Sequence, residues 1–537
     1  MMLFLQNISY THRNKDLLFS HISLKVNAQD KIALIGNNGI GKSTLLQLIA
    51  GKLQATSGNI QLNAKPYYLP QVFGQYNHLT IAQALQVEPK IIALNNILKG
   101  NAGIENFNQL NDDWTIEERC LQALNDWQLP QMNLTQRIET LSGGQKTRVF
   151  LAGLSIHQPE FILMDEPSNH LDGLGRQTLY NFIRTSQKTM IIVSHDRKLL
   201  NLLTKVCELS KTKVTVYGGN YDFYAEQKRM EKLTLNHDIQ NKEKALRKAR
   251  EKERETLERQ QRSDIRGKKK QEKSGVPKIA MNLLQNNAEK STAKIKGVHA
   301  EKINGITSDL QALRASLPEV DKMKFGFTNS DLHTGKILFK ANNLNYNYGI
   351  QNIWKGHLNF QLTSGERLAL KGANGSGKTT LIKLILGNLE PSTGTVYRAE
   401  IKTVYIDQDY SLIDNKLNVY TQAQKFNDSS LLEHEIKIRL NRFLFTKDEW
   451  NKPCAVLSGG ERMRLMLCCL TISRQSPHII ALDEPTNNLD IQNIEILTAA
   501  INEYKGTLLV ISHDETFLEQ LNMERTLELT STTTKEN

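Results

Sequence analysis

No stretch of the 537-residue chain approaches the roughly 18 consecutive apolar residues that a membrane-spanning helix requires. The first residues, Met1-Met2-Leu3-Phe4-Leu5-Gln6-Asn7, lack the basic-then-apolar layout of a secretory leader. Cysteine is scarce too. The five present (Cys120, Cys207, Cys454, Cys468 and Cys469) show no C-x-x-C spacing, which speaks against a disulfide framework, a zinc site and an iron–sulfur cluster. These absences leave the expectation of a soluble, cytoplasmic protein. Proline and glycine are nearly missing from Tyr224 to about Lys273, a stretch rich in Lys, Glu, Arg, Gln and Ala, the composition of a long charged helix.

What is present is a duplication. Gly36-Asn37-Asn38-Gly39-Ile40-Gly41-Lys42-Ser43 and Gly372-Ala373-Asn374-Gly375-Ser376-Gly377-Lys378-Thr379 both read G-x-x-x-x-G-K-[ST], 336 residues apart. After each come, in one order, a lone Gln following a short strand, a Leu-Ser-Gly-Gly stretch, an apolar run ending Asp-Glu-Pro, and a Ser-His-Asp. These give Gln71, Ser142, Asp165 and His195, then Gln408, Ser458, Asp483 and His513. Two matches in register with the other motifs are no accident, and the chain reads as a tandem ATPase built from two α/β repeats.

The chemistry follows from residue types in that order. Lys31-Ile32-Ala33-Leu34-Ile35 and Arg367-Leu368-Ala369-Leu370 are short apolar strands feeding the Gly-rich loops, and helices open at Thr44 and Thr380. Backbone N–H groups of such a loop and the positive helix end hold phosphates. Lys42 or Lys378 is expected to reach the β and γ oxygens, with Ser43 or Thr379 on Mg²⁺. Phe161-Ile162-Leu163-Met164-Asp165 and His478-Ile479-Ile480-Ala481-Leu482-Asp483 read as buried parallel strands ending in a metal-orienting acid. Glu166 and Glu484 are then placed to polarise an attacking water, and neutral His195 and His513 to hydrogen-bond a γ-phosphate. Tyr10 and Tyr346 stand at matching places ahead of the two loops, where stacking on adenine and plain core packing both fit a tyrosine.

The formal charge is +12, and its location matters. Residues 226–319 carry 23 Lys and Arg against 14 Asp and Glu, so most of the excess lies between the repeats. Such a block suits either a solvated helical face or a polyanion partner. A second helical pattern runs from about Ala288 to Leu317, with Ile295, Val298, Ile306, Leu310, Leu313 and Leu317 mostly three or four apart. The two patterns predict antiparallel arms joined by a tip over about 274–290, where Gly275-Val276-Pro277 breaks the first helix. The expected domains are 1–224, a helical-hairpin linker over 225–335, a second domain over 336–530, and a disordered tail over 531–537.

Leu141-Ser142-Gly143-Gly144-Gln145 and Leu457-Ser458-Gly459-Gly460-Glu461, each ahead of an Arg-containing apolar helix, complete a set that closely resembles the ATP-binding cassette superfamily. The resemblance implies two P-loop cassette domains joined by the hairpin and facing each other head to tail within one monomer. Lys42, Asp165 and Glu166 would then work with Ser458, Gly459 and Gly460, and Lys378, Asp483 and Glu484 with Ser142, Gly143 and Gly144. It also implies Mg²⁺ ligation by Ser43, Gln71 and Asp165 at one site and by Thr379, Gln408 and Asp483 at the other.

Duplicated cassettes without a membrane domain, a long basic linker, and Tyr217-Gly218-Gly219-Asn220-Tyr221-Asp222-Phe223-Tyr224 just before it resemble the ABC-F proteins. By that resemblance the ATP-closed form would occupy the ribosomal exit site, with the linker directed at the peptidyl-site tRNA and peptidyl transferase centre. The partners would be ribosomal RNA and tRNA, and hydrolysis would release the factor. Gln71 to Ser142 spans 71 residues and Gln408 to Ser458 spans 50, so the first cassette carries a short insertion, around 90–115. A reduced insertion with an elongated linker looks more like the antibiotic-resistance members than the housekeeping ones. Two other readings are the ATPase component of a transporter with a separate membrane subunit, and a cassette protein of DNA repair or chromosome structure. The long linker disfavours the first, and the second calls for a longer coiled coil or a zinc-bearing insertion.

Overall fold

The computed structural model describes residues 1–12, 16–101, 103–273, 278–316, 323, 332–333, 335–349, 351–487 and 489–530. The chain divides into two compact units, Met1–Tyr224 with Met323–Asn537, and Ala225–Lys322.

The first unit holds both repeats, and each is built on a parallel sheet. In the first repeat the strand order is Tyr67–Leu69, Phe161–Asp165, Thr189–Val193, Lys31–Ile35, Lys205–Leu209, Val214–Tyr217, all parallel except the last pair. In the second it is Thr403–Ile406, Ile479–Asp483, Thr507–Ile511, Arg367–Lys371, Arg525–Glu528, parallel throughout. Phe161–Asp165 and Thr189–Val193 are buried at every position, which is why they read as unbroken apolar runs rather than alternating ones.

A three-stranded antiparallel sheet accompanies each parallel one: Leu17–Val26, Leu3–Thr11 and Ser57–Leu62 in the first repeat, and Leu358–Thr363, Ile337–Asn345 and Thr393–Arg398 in the second. The helix after each Gly-rich loop joins the two sheets. Leu45, Leu48 and Ile49 of helix Lys42–Ile49 share one core with Leu3, Leu5 and Ile22 and with Phe161, Leu163 and Ile191. Leu381, Leu384 and Ile385 do the same in the second repeat, together with the buried Trp354, whose indole N–H donates to Ser376 O at 2.9 Å. Each loop therefore lies at the carboxyl end of a central strand, the place where open α/β sheets bind ligands.

Both antiparallel sheets carry one irregularity at the same place. Asn7 and Asn343 are each left-handed, at φ 52°, opposite Gly58 (φ 96°) and Gly394 (φ 86°), and the strand register shifts there. A Cβ on Gly58 would lie 2.5 Å from Asn7 O, and one on Gly394 2.3 Å from Asn343 O.

The second unit contains most of helix Tyr221–Lys273 and helix Lys278–Ala315. Cross-helix pairs Lys242–Asp309 (2.6 Å) and Glu243–Arg314 (2.5 Å) set them antiparallel. The linker unit ends at Lys322, short of the expected 335. Helix is already present at Lys278, so the backbone over 278–287 is not the irregular tip expected there, while 274–277 and the tail 531–537 lie outside the described residues. Of the apolar positions in the second helical pattern, Leu310 is buried and Val298 is exposed. The insertion around 90–115 folds as helices Glu88–Leu98 and Ile104–Leu110. No helix among the described residues is long and apolar enough to cross a membrane.

Gly394→Ala is expected to destabilise the second repeat by at least about 1–3 kcal/mol, because it adds a steric clash to left-handed strain. Thermal melts should show a lower midpoint, whereas Gly349→Ala, with open space around its Cβ position, should melt like the parent.

Candidate active site

At each loop the lysine folds back on its own carbonyls. Lys42 Nζ donates to Gly36 O (2.7 Å) and Asn37 O (3.3 Å), and Lys378 Nζ to Gly372 O (2.8 Å) and Ala373 O (3.0 Å). Gly41 and Gly377 cap the helices in left-handed conformations, with φ 100° and 86°. A side chain at either would strike Phe19 or Trp354.

Asp165 and Asp483 end their strands beside the loop hydroxyls. Thr379 Oγ1 donates to Asp483 Oδ2 at 2.8 Å, and Ser43 hydrogen-bonds to Asp165. A tyrosine touches each acid as well: Tyr405 donates to Asp483 at 2.8 Å, and Tyr68 hydrogen-bonds to Asp165. Burial pushes the Asp165 carboxyl above its usual value, and its Oδ1 has no partner.

The next residues, Glu166 and Glu484, are non-glycines in left-handed backbone, with φ 52° and 49°. Their N–H groups are fixed to Val193 O (2.8 Å) and Ile511 O (2.9 Å), so the sheet imposes the strained geometry. Each carboxylate accepts from the backbone N–H of the matching histidine, at 3.3 Å for His195 and 3.4 Å for His513. The imidazole Nε2 atoms stand 3.1 and 3.4 Å from the other carboxylate oxygens, Oε1 in both cases, which make no aligned hydrogen bond.

Burial, then the neighbouring Asp165, pushes Glu166 up to about 8. Burial raises Glu484 to about 7. Burial, then the lysine of the same site, lowers His195 to about 3 and His513 to about 4, so both rings are neutral near pH 7.

The first loop lines a hollow of about 400 Å³ that brings together Asn38, Gly39, Gly41, Lys42, Ser43, Thr44, Gln71, Asp165, Glu166 and His195, with Ser458 from the other repeat. Across the same seam Asn38 N–H donates to Asp490 Oδ2 at 2.8 Å. The second loop lines a hollow of about 1070 Å³, whose described walls come wholly from the second repeat, including Asn374, Gly375, Ser376, Gly377, Lys378, Thr379, Thr380, Asp483 and Glu484. Ser142, Gly143 and Gly144 do not reach it. The two glycines lie against His170, whose carbonyl accepts from Asn374 Nδ2 at 3.2 Å.

Ser142 and Ser458 each cap a helix, Gly143–His157 and Gly459–Ile472, in reciprocal capping boxes with Gln145 and Glu461. Gly36, Asn37, Ile40, Gly372 and Ala373 shape the loops from behind, and His513 touches Glu484 without lining the hollow.

Three sets of candidate residues lie away from the walls of the loop hollows. Gln408 lines a separate hollow with Asp409, Tyr410 and Gly459, not the one beside Lys378. Gly460 packs against Asn493. Tyr10 and Tyr346 pack on the cores of their repeats, while the aromatic rings on the hollow walls are His12 and Tyr348, two residues further on in each copy. The strand pairing of the first copy ends at Thr11, which frees His12 to turn toward the loop.

The ATP-binding cassette model described as "ABC transporter" matches residues 19–169 and 356–487, the two repeats just described. The chain belongs to the ATP-binding cassette family. Along 96% of its length it is 30% identical to the ATP-binding protein YdiF of Bacillus subtilis (strain 168), covering 78% of that protein. It is 28% identical to the ribosome protection protein VmlR of the same organism, over 96% of this chain and 84% of VmlR. Among solved structures, RNase-L Inhibitor superposes on 97% of the chain and 87% of its own, with a TM-score of 0.60 at 18% identity, a likeness of fold. With two cassettes and the helical linker, the protein is a tandem-cassette ATPase of the ABC-F type.

The cassettes fit nucleotide with Mg²⁺. Each offers a hydroxyl beside a carboxylate, a lysine held only by carbonyls, and at the first site an orphaned buried Asp165 Oδ1. Among the described residues, no group of three or more His, Cys, Asp or Glu could hold a metal ion. The motif reading missed the repeated Leu-Asp pair, Leu171-Asp172 and Leu489-Asp490, of which Asp490 crosses to the opposite loop. Its repetition seven residues after each Asp-Glu start was the available signal.

Above pH 6.5 the imidazoles are neutral whether folded or unfolded, which leaves the glutamates unbalanced. Folded Glu166 keeps up to about pH 8 a proton that the unfolded chain releases near 4.5. Stability of the nucleotide-free protein should therefore fall as pH rises from 6.5 to 8. Glu166→Gln should flatten that slope in thermal melts, and identical slopes would refute the assignment.

Proposed function

We propose that this ATPase binds the ribosome in an ATP-closed state, at the exit site, and acts through its linker on the peptidyl-site tRNA and peptidyl transferase region. The observation that carries the reading is a pair of cassettes in contact across their nucleotide loops, in one chain with a basic helical hairpin between them. Similarity to a ribosome protection protein over 96% of the chain supports the same partner. Arms rich in Lys and Arg suit RNA phosphates, which need charge and shape rather than base readout.

In the proposed cycle the loop N–H groups and Lys42 or Lys378 hold the phosphates, and His12 or Tyr348 lies against the base. Ser43 with Asp165, with Gln71 nearby, and Thr379 with Asp483 would hold Mg²⁺. When bound, that ion supplies charge neutralisation at the β and γ oxygens. Glu166 and Glu484, in their ionised form, take up the proton of the attacking water, and neutral His195 and His513 orient the γ-phosphate. Ser458 reaches the first site from the other cassette, and closure would bring Ser142 to the second. ATP hydrolysis then releases the factor, and antibiotic protection is the form of this activity favoured by the short insertion and long linker.

Glu166→Gln with Glu484→Gln should slow hydrolysis by about 10²-fold or more. The same protein should cosediment with 70S ribosomes with ATP and not without it. Loss of hydrolysis with no ATP-dependent cosedimentation would remove the ribosomal reading while leaving the ATPase intact. Raised minimum inhibitory concentrations for any of macrolides, lincosamides, streptogramins, pleuromutilins or phenicols in a sensitive host would mark protection, and no change for any would sink it.

A further inference from the structure

We propose that Arg176 is a positioning residue that couples the two nucleotide sites by tying their histidine loops together across the cassette seam. It rises from helix Gly173–Thr185 of the first cassette and is buried. Its Nε donates to Leu171 O at 3.2 Å. Its Nη1 lies 3.5 Å from Asp196 Oδ2, beside His195, and 3.5 Å from the carbonyl of His513 in the other cassette. One guanidinium thus touches both loops whose histidines contact the catalytic glutamates. Tyr180 donates to Asp196 at 2.5 Å and fixes the carboxylate that Arg176 meets.

The arrangement solves an electrostatic problem. Asp196 and Asp514 follow the two histidines and cap helices Arg197–Leu200 and Glu515–Gln520, and burial first, with Asp196 adding to it, raises Asp514 above its usual value. Two buried carboxylates repel unless a cation stands near both, and Arg176 lowers Asp514 from the same place. The seam is polarised in the same sense at its exposed edge, where Arg197 meets Glu495 at 3.3 Å and Lys198 meets Glu515.

The device is single. Arg176 is four residues beyond Asp172, and the residue four beyond Asp490 is Ile494, buried and unable to donate. One arginine thus serves a seam with two sites. When ATP draws one histidine onto its γ-phosphate, the loop carries Arg176 and with it the other loop, so filling one site prepares the other. This coupling rests on the nucleotide chemistry of the cassettes and not on the ribosomal partner.

The test uses the Glu166→Gln, Glu484→Gln protein, in which bound ATP persists, and a fluorescent ATP analogue with Mg²⁺. The parent should bind cooperatively, with a Hill coefficient approaching about 2, the number of sites. Adding Arg176→Met should bring it to about 1 with half-saturation changed less than about threefold, and Arg176→Lys should fall between. Lys198→Met, which breaks an exposed seam pair, should keep the parent value and so separates loop coupling from general loss of seam charge. A parent coefficient of 1, or an unchanged coefficient in both Arg176 variants, would overturn the proposal. Cosedimentation with ribosomes reads the functional reading separately, so either can fail alone.

Discussion

Each cassette depends on one costly arrangement, a glutamate held in left-handed backbone at the end of a buried strand, desolvated, with a lysine and a neutral histidine close by. The sheet enforces it: the Glu166 and Glu484 N–H groups bond to the neighbouring strands before the side chains find partners. Strain of this kind costs about 1–3 kcal/mol and persists only where packing over-determines it. That packing is the core shared by the loop helix and both sheets, which holds the loop, the strand-end acid and the glutamate together. The histidine enters from the adjacent strand, neutral because the lysine and burial oppose its charge, and free to meet an anion without first losing a proton.

The two sites differ, and the difference begins with glycine. In the first cassette Gly175 leaves room for Arg148, which pairs with Asp172 at 2.5 Å; a Cβ there would lie 3.1 Å from Arg148 Nε. At the matching position of the second cassette stands Asn493, whose amide occupies Asp490 Oδ1 at 2.7 Å and leaves Oδ2 to take the N–H of Asn38 across the seam. Asp172 is thus held within its own cassette while Asp490 reaches into the opposite loop. The first hollow is accordingly the smaller, with Ser458 in its wall, and the second is walled by its own cassette. Near-identical motifs give unequal sites through one neighbour of an aspartate.

Much of this was legible in the sequence because the tandem copies checked each other. Loops, strand-end acids and histidines occur twice at matching spacing, and their chemistry follows from short-range geometry. What the motifs left open depends on where a strand stops. Tyr10 pairs with Phe19 inside a sheet and packs inward, whereas His12 lies past the last pairing, a distinction of two residues that composition does not carry. Gln408 follows a strand just as Gln71 does but turns to another hollow. At the linker the first helix ends at Lys273, just ahead of the Gly-Val-Pro stretch, and the second is already present at Lys278. The cross-seam roles of Asp490 and Arg176 need both cassettes in space, and no periodicity announces them.

The linker obeys a different balance. Its helices are joined by pairs such as Lys242–Asp309 and Glu243–Arg314, each side chain 42–58% exposed, and exposed pairs are worth about 0–1 kcal/mol each. Buried apolar side chains are few there, Ile239 and Leu310 among the described residues, while Met230, Leu233 and Val298 face solvent. Such a hairpin owes little to a hydrophobic core, and 23 basic against 14 acidic residues over 226–319 set it against itself by repulsion. A polyanion removes that repulsion and releases its own counterions as it does so, which makes binding strong at low salt and steeply weaker as salt rises. The strained chemistry therefore lies in the cassettes and the excess positive charge in the arms.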